Sequence, residues 1–183
     1  EYAIENNVTH FDTAQFYAHG KSNKILSKIT QSNRNQLFLS AKGGLVWQGQ
    51  KVLHKASQKA LQTDLFQTLE TLKTDYIDLY MLHWPDPQTP LQESIHALKT
   101  FQKKKWIRHW GICNLSPDQC KTITQHQSPV PHQQKFNPYY ANLSALSKNY
   151  NHNIVYSPFE QGLLTQPKAF TEDRKSTRLK LQS

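Results

Sequence analysis

Titratable and amide side chains stand at the ends of the strands that this sequence predicts, a placement typical of a site for proton transfer and hydrogen bonding. In α/β barrels the carboxyl ends of the parallel strands form the active-site face, so side chains at these ends can meet. Seven side chains fit this description, one of them shortly beyond its strand: Asp12, Tyr17, Lys42, His83, Asn114, Gln133 and Tyr156. Acids, bases and hydrogen-bond donors of these types could together move a proton to or from a small substrate.

Each of these side chains also has an ordinary structural explanation. Asp12 could brace a turn, Lys42 could extend its charge past a strand end, and His83 by itself is more often structural than catalytic. The other four could be loop hydrogen-bonding groups or aromatic packing: Tyr17, Asn114, Gln133 and Tyr156. Their shared position at strand ends is what favours a functional site.

Six segments alternate with helical patterns along the chain and predict strands. They cover residues 9–14, 36–44, 76–84, 106–114, 132–137 and 153–158. Several of them, including YIDLYMLHW at residues 76–84, lack the polar alternation of a half-exposed sheet and therefore indicate burial on both faces. Residues 45–50, which include Trp47 and Gly49, are predicted as a loop.

The segments between the strands have helical periodicity. Ile25, Leu26 and Ile29 predict one apolar helix face. Two further faces have similar spacing: Leu61, Leu65, Leu69 and Leu72, then Leu91, Ile95 and Leu98. A short helix is predicted over residues 141–150.

Two helix starts carry the sequence signature of a capping box. In TPLQ, Thr89 is predicted as the N-cap, Pro90 as the first helical residue and Gln92 as its partner. The same capping-box pattern occurs in SPDQ, from Ser116 to Gln119.

The strict alternation of buried strands and helices predicts a parallel sheet covered by helices. This pattern alone leaves two alternatives, a closed (β/α)8 barrel and an open, doubly wound sheet. No G-x-G-x-x-G follows a strand and no P-loop occurs, so the usual nucleotide-binding signatures of open sheets are missing.

Charge and cysteine content narrow the function classes. The net charge of +9 could indicate nucleic-acid binding, but four basic residues lie in the last eleven and most of the others are scattered. His and Cys residues form no H-x-H, H-x-x-x-H or C-x-x-C pair, so we predict no metal site. Two cysteines, Cys113 and Cys120, are compatible with a reducing compartment.

Five segments resemble the aldo-keto reductase superfamily: FDTAQFY, SAKGG, DYIDLYMLHWPD, IRHWGICN and YSPFEQGLLT. The resemblance implies a (β/α)8 TIM barrel, of which this chain holds about six of the eight βα units. The partial barrel domain is expected over residues 1–172. The resemblance also implies a cytoplasmic oxidoreductase that reduces aldehyde or ketone carbonyls, its small-molecule partners, to alcohols.

The resemblance assigns catalytic roles to four of the side chains, Asp12, Tyr17, Lys42 and His83. Tyr17 would be the general acid, because an ammonium group beside a phenol favours loss of the phenolic proton. Asp12 would keep Lys42 charged, and His83 would orient the carbonyl oxygen. The hydride must come from a cofactor, since no side chain supplies one.

By the same resemblance the cofactor is NADPH. Asn114 and Gln133 would hold its carboxamide, and Tyr156 would stack on the nicotinamide ring. The expected cofactor-binding positions are Cys113, Asn114, Gln133, Tyr156, Ser157 and Phe159. The chain departs from the family pattern at five positions, which here are Asn23, Lys105, Cys113, Phe159 and Glu160.

The resemblance further implies an incomplete chain, without the first strand and without the basic segment that grips the 2′-phosphate. We expect this polypeptide alone to aggregate and to lack activity, because an open barrel leaves strand edges unpaired. Residues 173–183 resemble a translated sequencing adapter and are expected to be a non-native tail. The alternative function is a non-catalytic regulatory or binding subunit built on the same barrel.

Overall fold

The computed structural model describes residues 2–124, 130–138 and 153–165. The helix predicted over residues 141–150 and the tail over residues 173–183 lie outside this described part. Within it, no helix combines the length and apolar character needed to cross a membrane.

One sheet of six parallel strands dominates the fold, and its strand order follows the chain. The strands are β1 (His10–Asp12), β2 (Phe38–Gly43), the separate hairpin strands β3 (Leu45–Gln48) and β4 (Lys51–His54), then β5 (Ile77–Leu82), β6 (Ile107–Cys113), β7 (His132–Lys135) and β8 (Asn153–Tyr156). The sheet order is β1-β2-β5-β6-β7-β8. A doubly wound sheet reverses its order at a switch point, whereas this order never reverses. The sheet is therefore part of a (β/α)8 barrel wall.

Strand β5 is buried along its whole length, as its apolar sequence predicts. Tyr80 and Leu82 pack in the cluster that contains the helix leucines. Leu79 and Met81 pack with Cys113 in a separate cluster. The strand thus has an apolar environment on both faces of the sheet.

In the described part of the chain, five α-helices accompany the strands: α1 (Tyr2–Glu5), α2 (Lys21–Asn33), α3 (Gln58–Leu72), α4 (Leu91–Lys103) and α5 (Pro117–Thr124). The predicted faces of α3 and α4 are confirmed. On α3, Leu61, Leu65 and Leu72 are fully buried. On α4, Leu98 packs in the same cluster as these leucines, and Ile95 is buried in a second cluster.

The apolar face predicted for α2 is confirmed only at Leu26, which packs against the core cluster that contains the α3 leucines. Ile25 is 67% exposed and the other two predicted residues are only half-buried. The interior face is polar, and its buried residues are Asn23, Ser27 and Thr30. Burial is tolerated because these side chains form hydrogen bonds, such as the one from the Thr13 hydroxyl to Asn23 Oδ1 at 2.7 Å.

The two predicted capping boxes have opposite outcomes. At α5 the box is confirmed: Ser116 Oγ accepts from the Gln119 amide at 3.2 Å, and Gln119 Oε1 accepts from the Ser116 amide at 2.9 Å. At α4 the prediction is wrong, because the Thr89 hydroxyl donates to Asp86 Oδ2 at 2.7 Å instead. The N-cap of α4 is Pro90, without a side-chain cap bond.

The sequence predicts a loop where the structure forms the β3–β4 hairpin. Gln48 pairs with Lys51, so Gly49 and Gln50 form a two-residue turn. Gly49 has φ of 61°, a conformation that glycine adopts at little cost. A Gly-X pair between apolar residues was the signal for this hairpin.

Candidate active site

The Lys42–Asp12 ion pair lies at the centre of the strand-end cluster. Strands β1 and β2 are neighbours and place Lys42 Nζ 2.5 Å from Asp12 Oδ2. Lys42 is almost fully buried, while Asp12 is 39% exposed. Burial opposes the charged ammonium, but attraction to Asp12 and to Tyr17 outweighs it and raises the pKa of Lys42. The lysine is therefore held as a cation.

Tyr17 reaches this pair from the short 3-10 turn Tyr17–Gly20 that follows β1. The centre of its ring lies 5.2 Å from Lys42 Nζ. The His83 ring lies edge-on to it, with ring centres 5.6 Å apart. The next residues, Ala18 and His19, both have positive φ, so the turn adopts a backbone conformation that side chains other than glycine rarely take.

His83 immediately follows β5 and is held by its backbone. Its amide donates to the Gly43 carbonyl at 2.9 Å, and its carbonyl accepts from Asn114 Nδ2 at 3.0 Å. Burial, with smaller effects from Lys42 and His54, lowers the pKa of His83 to about 3. Its buried Nδ1 has no hydrogen-bond partner among the described residues. The imidazole is therefore neutral near neutral pH and has an unused polar atom.

The amide side chains lie beside this group at the ends of β6 and β7. Asn114 has φ of 58° and accepts a hydrogen bond from the Tyr156 hydroxyl at 2.7 Å. Gln133 Nε2 donates to Asp12 Oδ2 at 3.4 Å. Burial, first among several causes, raises the pKa of Tyr156 to about 12, so its hydroxyl stays protonated. The predicted amides and the predicted catalytic residues thus form one connected cluster.

The chemistry of this donor set fits a nicotinamide group. A carboxamide needs both an acceptor and a donor, and the primary amides of Asn114 and Gln133 offer both. A planar ring needs an aromatic face, which Tyr156 can supply. The half-buried position of Tyr156 beside Asn114 places all three groups at one end of the sheet.

The remaining predicted cofactor positions differ from one another in burial and in their contacts. Cys113 is fully buried behind the amides, with Sγ 3.7 Å from Gln133 Oε1, and burial raises the pKa of its thiol to about 12. The Ser157 carbonyl accepts from Asn137 Nδ2 at 2.9 Å. Phe159 is 62% exposed. For all three, a cofactor role stays a prediction.

Two departures from the family pattern are accommodated by new contacts. Asn23 is buried and its Nδ2 donates to Gln15 Oε1 at 2.8 Å. Glu160 accepts from Lys135 Nζ at 2.8 Å and from Asn137 Nδ2 at 2.6 Å. Both side chains are thus tied into local networks in the folded chain.

Phe16, which forms an aromatic stack beside the cluster, was missed from the sequence. Phe16 stacks on Trp47 with ring centres 4.7 Å apart, and Trp47 Nε1 donates to the Phe16 carbonyl at 3.0 Å. The Phe16 ring also lies 6.1 Å from that of His83. The signal was its position directly before Tyr17. No group of three or more potential metal ligands occurs in the described part of the chain.

Comparisons with known proteins identify the family and the fold of this chain. The family model for the Aldo/keto reductase family matches residues 1–182. The aldo-keto reductase YhdN of Bacillus subtilis is 34% identical over 123 residues, covering 66% of this chain and 37% of that protein. The NADH-specific methylglyoxal reductase of Escherichia coli is 30% identical and covers 84% of this chain and 53% of that protein.

A third relative is of a different kind. The probable voltage-gated potassium channel subunit beta of Arabidopsis thaliana is 27% identical, over 88% of this chain and 53% of that protein. The chain thus spans about half the length, or less, of the curated relatives it matches.

Solved structures share the fold. The glycerol dehydrogenase AKR11B4 of Gluconobacter oxydans has a TM-score of 0.79 and 26% identity, over 93% of this chain and 57% of that one. An aldo-keto reductase of Klebsiella pneumoniae in complex with NADPH has a TM-score of 0.73 and 24% identity, over 90% of this chain and 58% of that one.

Proposed function

The chain belongs to the aldo/keto reductase family, and on that premise we propose that the whole protein reduces aldehyde or ketone carbonyls to alcohols. Its catalytic residues in this proposal are Asp12, Tyr17, Lys42 and His83. The observation that carries the proposal is their convergence: Lys42 binds Asp12 at 2.5 Å and lies 5.2 Å from the Tyr17 ring, which faces His83.

Tyr17 is the proposed general acid, which gives its proton to the carbonyl oxygen. The ammonium of Lys42 stabilises the phenolate that remains, and the same attraction contributes to the raised pKa of Lys42. Asp12 holds the ammonium in place through their ion pair. Proton transfer by a positioned group contributes about 10²–10⁴-fold to a reaction rate.

His83 is the proposed hydrogen-bond donor to the carbonyl oxygen. Its lowered pKa keeps it neutral, so it orients the oxygen without competing with Tyr17 as the acid. A neutral donor also leaves Lys42 as the charged group beside the phenol. The different environments of His83 and Lys42 therefore account for their different proposed roles.

NADPH is the proposed cofactor, with Asn114 and Gln133 holding its carboxamide and Tyr156 beside its ring. When bound, the reduced nicotinamide supplies a hydride to the carbonyl carbon. Two hydrogen bonds orient the Asn114 amide in advance, one to the His83 carbonyl and one from Tyr156. A cytoplasmic location is part of the same proposal, with Cys113 and Cys120 both buried.

A binding or regulatory role is the second candidate function, since the potassium-channel subunit is among the relatives. Such a subunit could bind NADPH without turnover. The two functions therefore differ in catalysis and not in cofactor binding.

The test is NADPH-dependent reduction of 4-nitrobenzaldehyde by the full-length protein and its Tyr17→Phe variant. The substitution removes the hydroxyl group that donates the proton and keeps the ring, so we expect kcat to fall by about 10²–10⁴-fold. NADPH affinity, measured by fluorescence titration, should change little.

Tyr76→Phe is the matched control, because Tyr76 lies at the opposite end of the sheet beneath Arg34 and Arg108. It should retain wild-type turnover. Equal activity in the wild type and Tyr17→Phe would discard Tyr17 as the acid. NADPH binding without turnover by the wild type would favour the binding subunit.

A further inference from the structure

The glycine pair Gly43–Gly44 lies where several parts of the candidate site join. Gly43 directly follows Lys42, and its carbonyl accepts from the His83 amide at 2.9 Å. The Gly44 carbonyl accepts from the Lys55 amide at 2.9 Å, at the end of the β3–β4 hairpin. We call this pair the glycine junction. Its backbone position determines how Lys42 and His83 lie relative to each other.

The third bond of the glycine junction comes from helix α3. The Gly44 amide donates to Asp64 Oδ2 at 3.2 Å. Asp64 is 6% exposed and also accepts from the Thr68 hydroxyl at 3.5 Å. A buried carboxyl group without hydrogen bonds is costly, so these two hydrogen bonds help to stabilise Asp64 in its buried position.

The absence of a side chain at Gly43 makes room for this arrangement. A Cβ atom there would lie 2.0 Å from the Tyr80 hydroxyl oxygen and 3.2 Å from Asp64 Cγ. The Tyr80 hydroxyl has no hydrogen-bond partner of good geometry among the described residues. It is nevertheless close enough to Asp64 to add to the raised pKa that burial gives Tyr80. Asp64 and Tyr80 therefore occupy the space behind the junction.

We propose that Asp64 is a positioning residue, which holds the glycine junction through the Gly44 amide and thereby sets Lys42 against His83. The inference rests on the proposed function, because its consequence is catalytic. Two consecutive glycines have unusual backbone freedom, and Gly44 has φ of 101°. The Asp64 carboxyl group restricts that freedom from outside the sheet. It acts through the backbone and does not touch the substrate.

The sequence alone did not single out Asp64, which lies on α3 between two core leucines. Burial raises the pKa of its carboxyl group to about 7, although the Gly44 amide opposes that rise. Either protonation state retains an oxygen that can accept from the Gly44 amide. The proposed role therefore requires the acceptor and does not require the charge.

Two substitutions separate the acceptor from the charge. Asp64→Asn keeps an acceptor oxygen, whereas Asp64→Leu removes it at similar size. Because small displacements of catalytic groups are costly, we expect Asp64→Leu to lower kcat by about tenfold or more, with KM within about threefold of wild type. Asp64→Asn should stay within about threefold of wild-type kcat. If Asp64→Leu does not fold, the smaller Asp64→Ser, which is too short to reach the amide, replaces it.

Leu72→Val is the control for lost stability. Leu72 lies on the same helix but eight residues further on, about 12 Å along its axis. It is fully buried, so the shorter side chain destabilises the fold by about 0.5–1.5 kcal/mol. Its kcat should equal that of the wild type.

A second readout does not depend on activity. Hydrogen exchange of the Gly44 amide should accelerate by about tenfold in Asp64→Leu and stay slow in Asp64→Asn and Leu72→Val. The NMR signals of the His83 ring should shift in Asp64→Leu alone. An inactive wild type would reject the proposed function and leave these two measurements as the test of the junction.

Wild-type kcat and unchanged Gly44 exchange in Asp64→Leu would overturn the proposal. An equal loss of kcat in Asp64→Asn and Asp64→Leu would also overturn it, because the lost property would then be the charge. A loss confined to the variants without the acceptor, together with faster Gly44 exchange, would support it.

Discussion

The two ends of the parallel sheet each contain a carboxylate bound to a basic side chain, and they differ in how completely their polar atoms are used. At the amino-terminal end, Asp78 accepts from Arg34 at 2.7 Å, from Arg108 at 3.1 Å and from the Leu39 amide at 2.9 Å. At the carboxyl-terminal end, Asp12 is 39% exposed and the buried Nδ1 of His83 has no partner among the described residues.

The same contrast extends to the aromatic residues. At the amino-terminal end, the Arg34 and Arg108 guanidinium groups lie 3.8 Å and 4.2 Å from the centre of the Tyr76 ring. Together with the Asp78 network, these contacts join β2, β5 and β6 to the turn after α2. At the other end, Tyr17 comes from a turn with unfavourable backbone angles. The amino-terminal end therefore uses its polar groups in stabilising contacts, whereas the carboxyl-terminal end leaves polar groups of the candidate site available to a ligand.

The largest expected effect comes from breaking the satisfied end with Asp78→Asn. The neutral amide cannot pair with two guanidinium groups, and Asp78 is only 2% exposed. Removing one partner of a buried ion pair costs about 3–5 kcal/mol, so the free energy of unfolding should fall by that amount. Urea denaturation of both proteins measures the difference.

Asp75→Asn is the matched control for this experiment, since Asp75 is exposed and precedes Tyr76. Its effect should stay within about 0.5 kcal/mol. Equal losses in the two variants would show that the Asp78 network does not stabilise this end.

The second prediction concerns the incompletely satisfied end and its pH dependence. His83 has a pKa of about 3 in the folded protein against an ordinary value of 6.5. The unfolded chain therefore takes up the proton first. The stabilising contribution of neutral His83 is complete above about pH 6.5 and is lost as the pH falls from there toward about 3.

His83→Gln should remove this dependence. The difference in unfolding free energy between wild type and variant should change by about 1 kcal/mol between pH 6 and pH 5, with the wild type losing more. Parallel stability curves for the two proteins over this range would contradict the lowered pKa. The measurement is urea denaturation at each pH.

Sequence patterns predicted the sheet well because burial on both faces leaves a strong apolar signal. Strand β5 and the leucines of α3 are examples. The face of α2 could not be predicted, because the burial of Asn23 depends on partners that only the fold supplies. Likewise, Thr89 fits the capping-box pattern as well as Ser116 does, yet the Thr89 hydroxyl donates to Asp86 instead.

The candidate site was predictable to the extent that its residues lie at strand ends. Asp12, Lys42 and His83 could be listed from the sequence because they terminate, or nearly terminate, recognisable strands. Asp64 could not, since its partner Gly44 is twenty residues away and the contact crosses from helix to sheet. A long-range contact to a backbone amide leaves no pattern in the residue types.

The smallest expected effect sharpens the comparison at the amino-terminal end, where Lys105 has a strained backbone conformation. Lys105 follows α4 in the turn that enters β6 and has φ of 61°. Glycine takes this conformation without the penalty that a Cβ atom brings. Lys105→Gly should therefore raise the unfolding free energy by about 0.5–1 kcal/mol, measured by urea denaturation.

Lys99→Gly provides the opposite sign with the same change of residue. Lys99 is exposed within α4, where glycine costs about 1 kcal/mol relative to good helix formers. One substitution should stabilise and the other destabilise, although both remove one positive charge. If both variants lose stability, the strain at Lys105 is too small to affect the free energy of unfolding. If Lys105→Gly gains stability while Lys99→Gly loses it, the chain tolerates strain at Lys105, where α4 ends before β6.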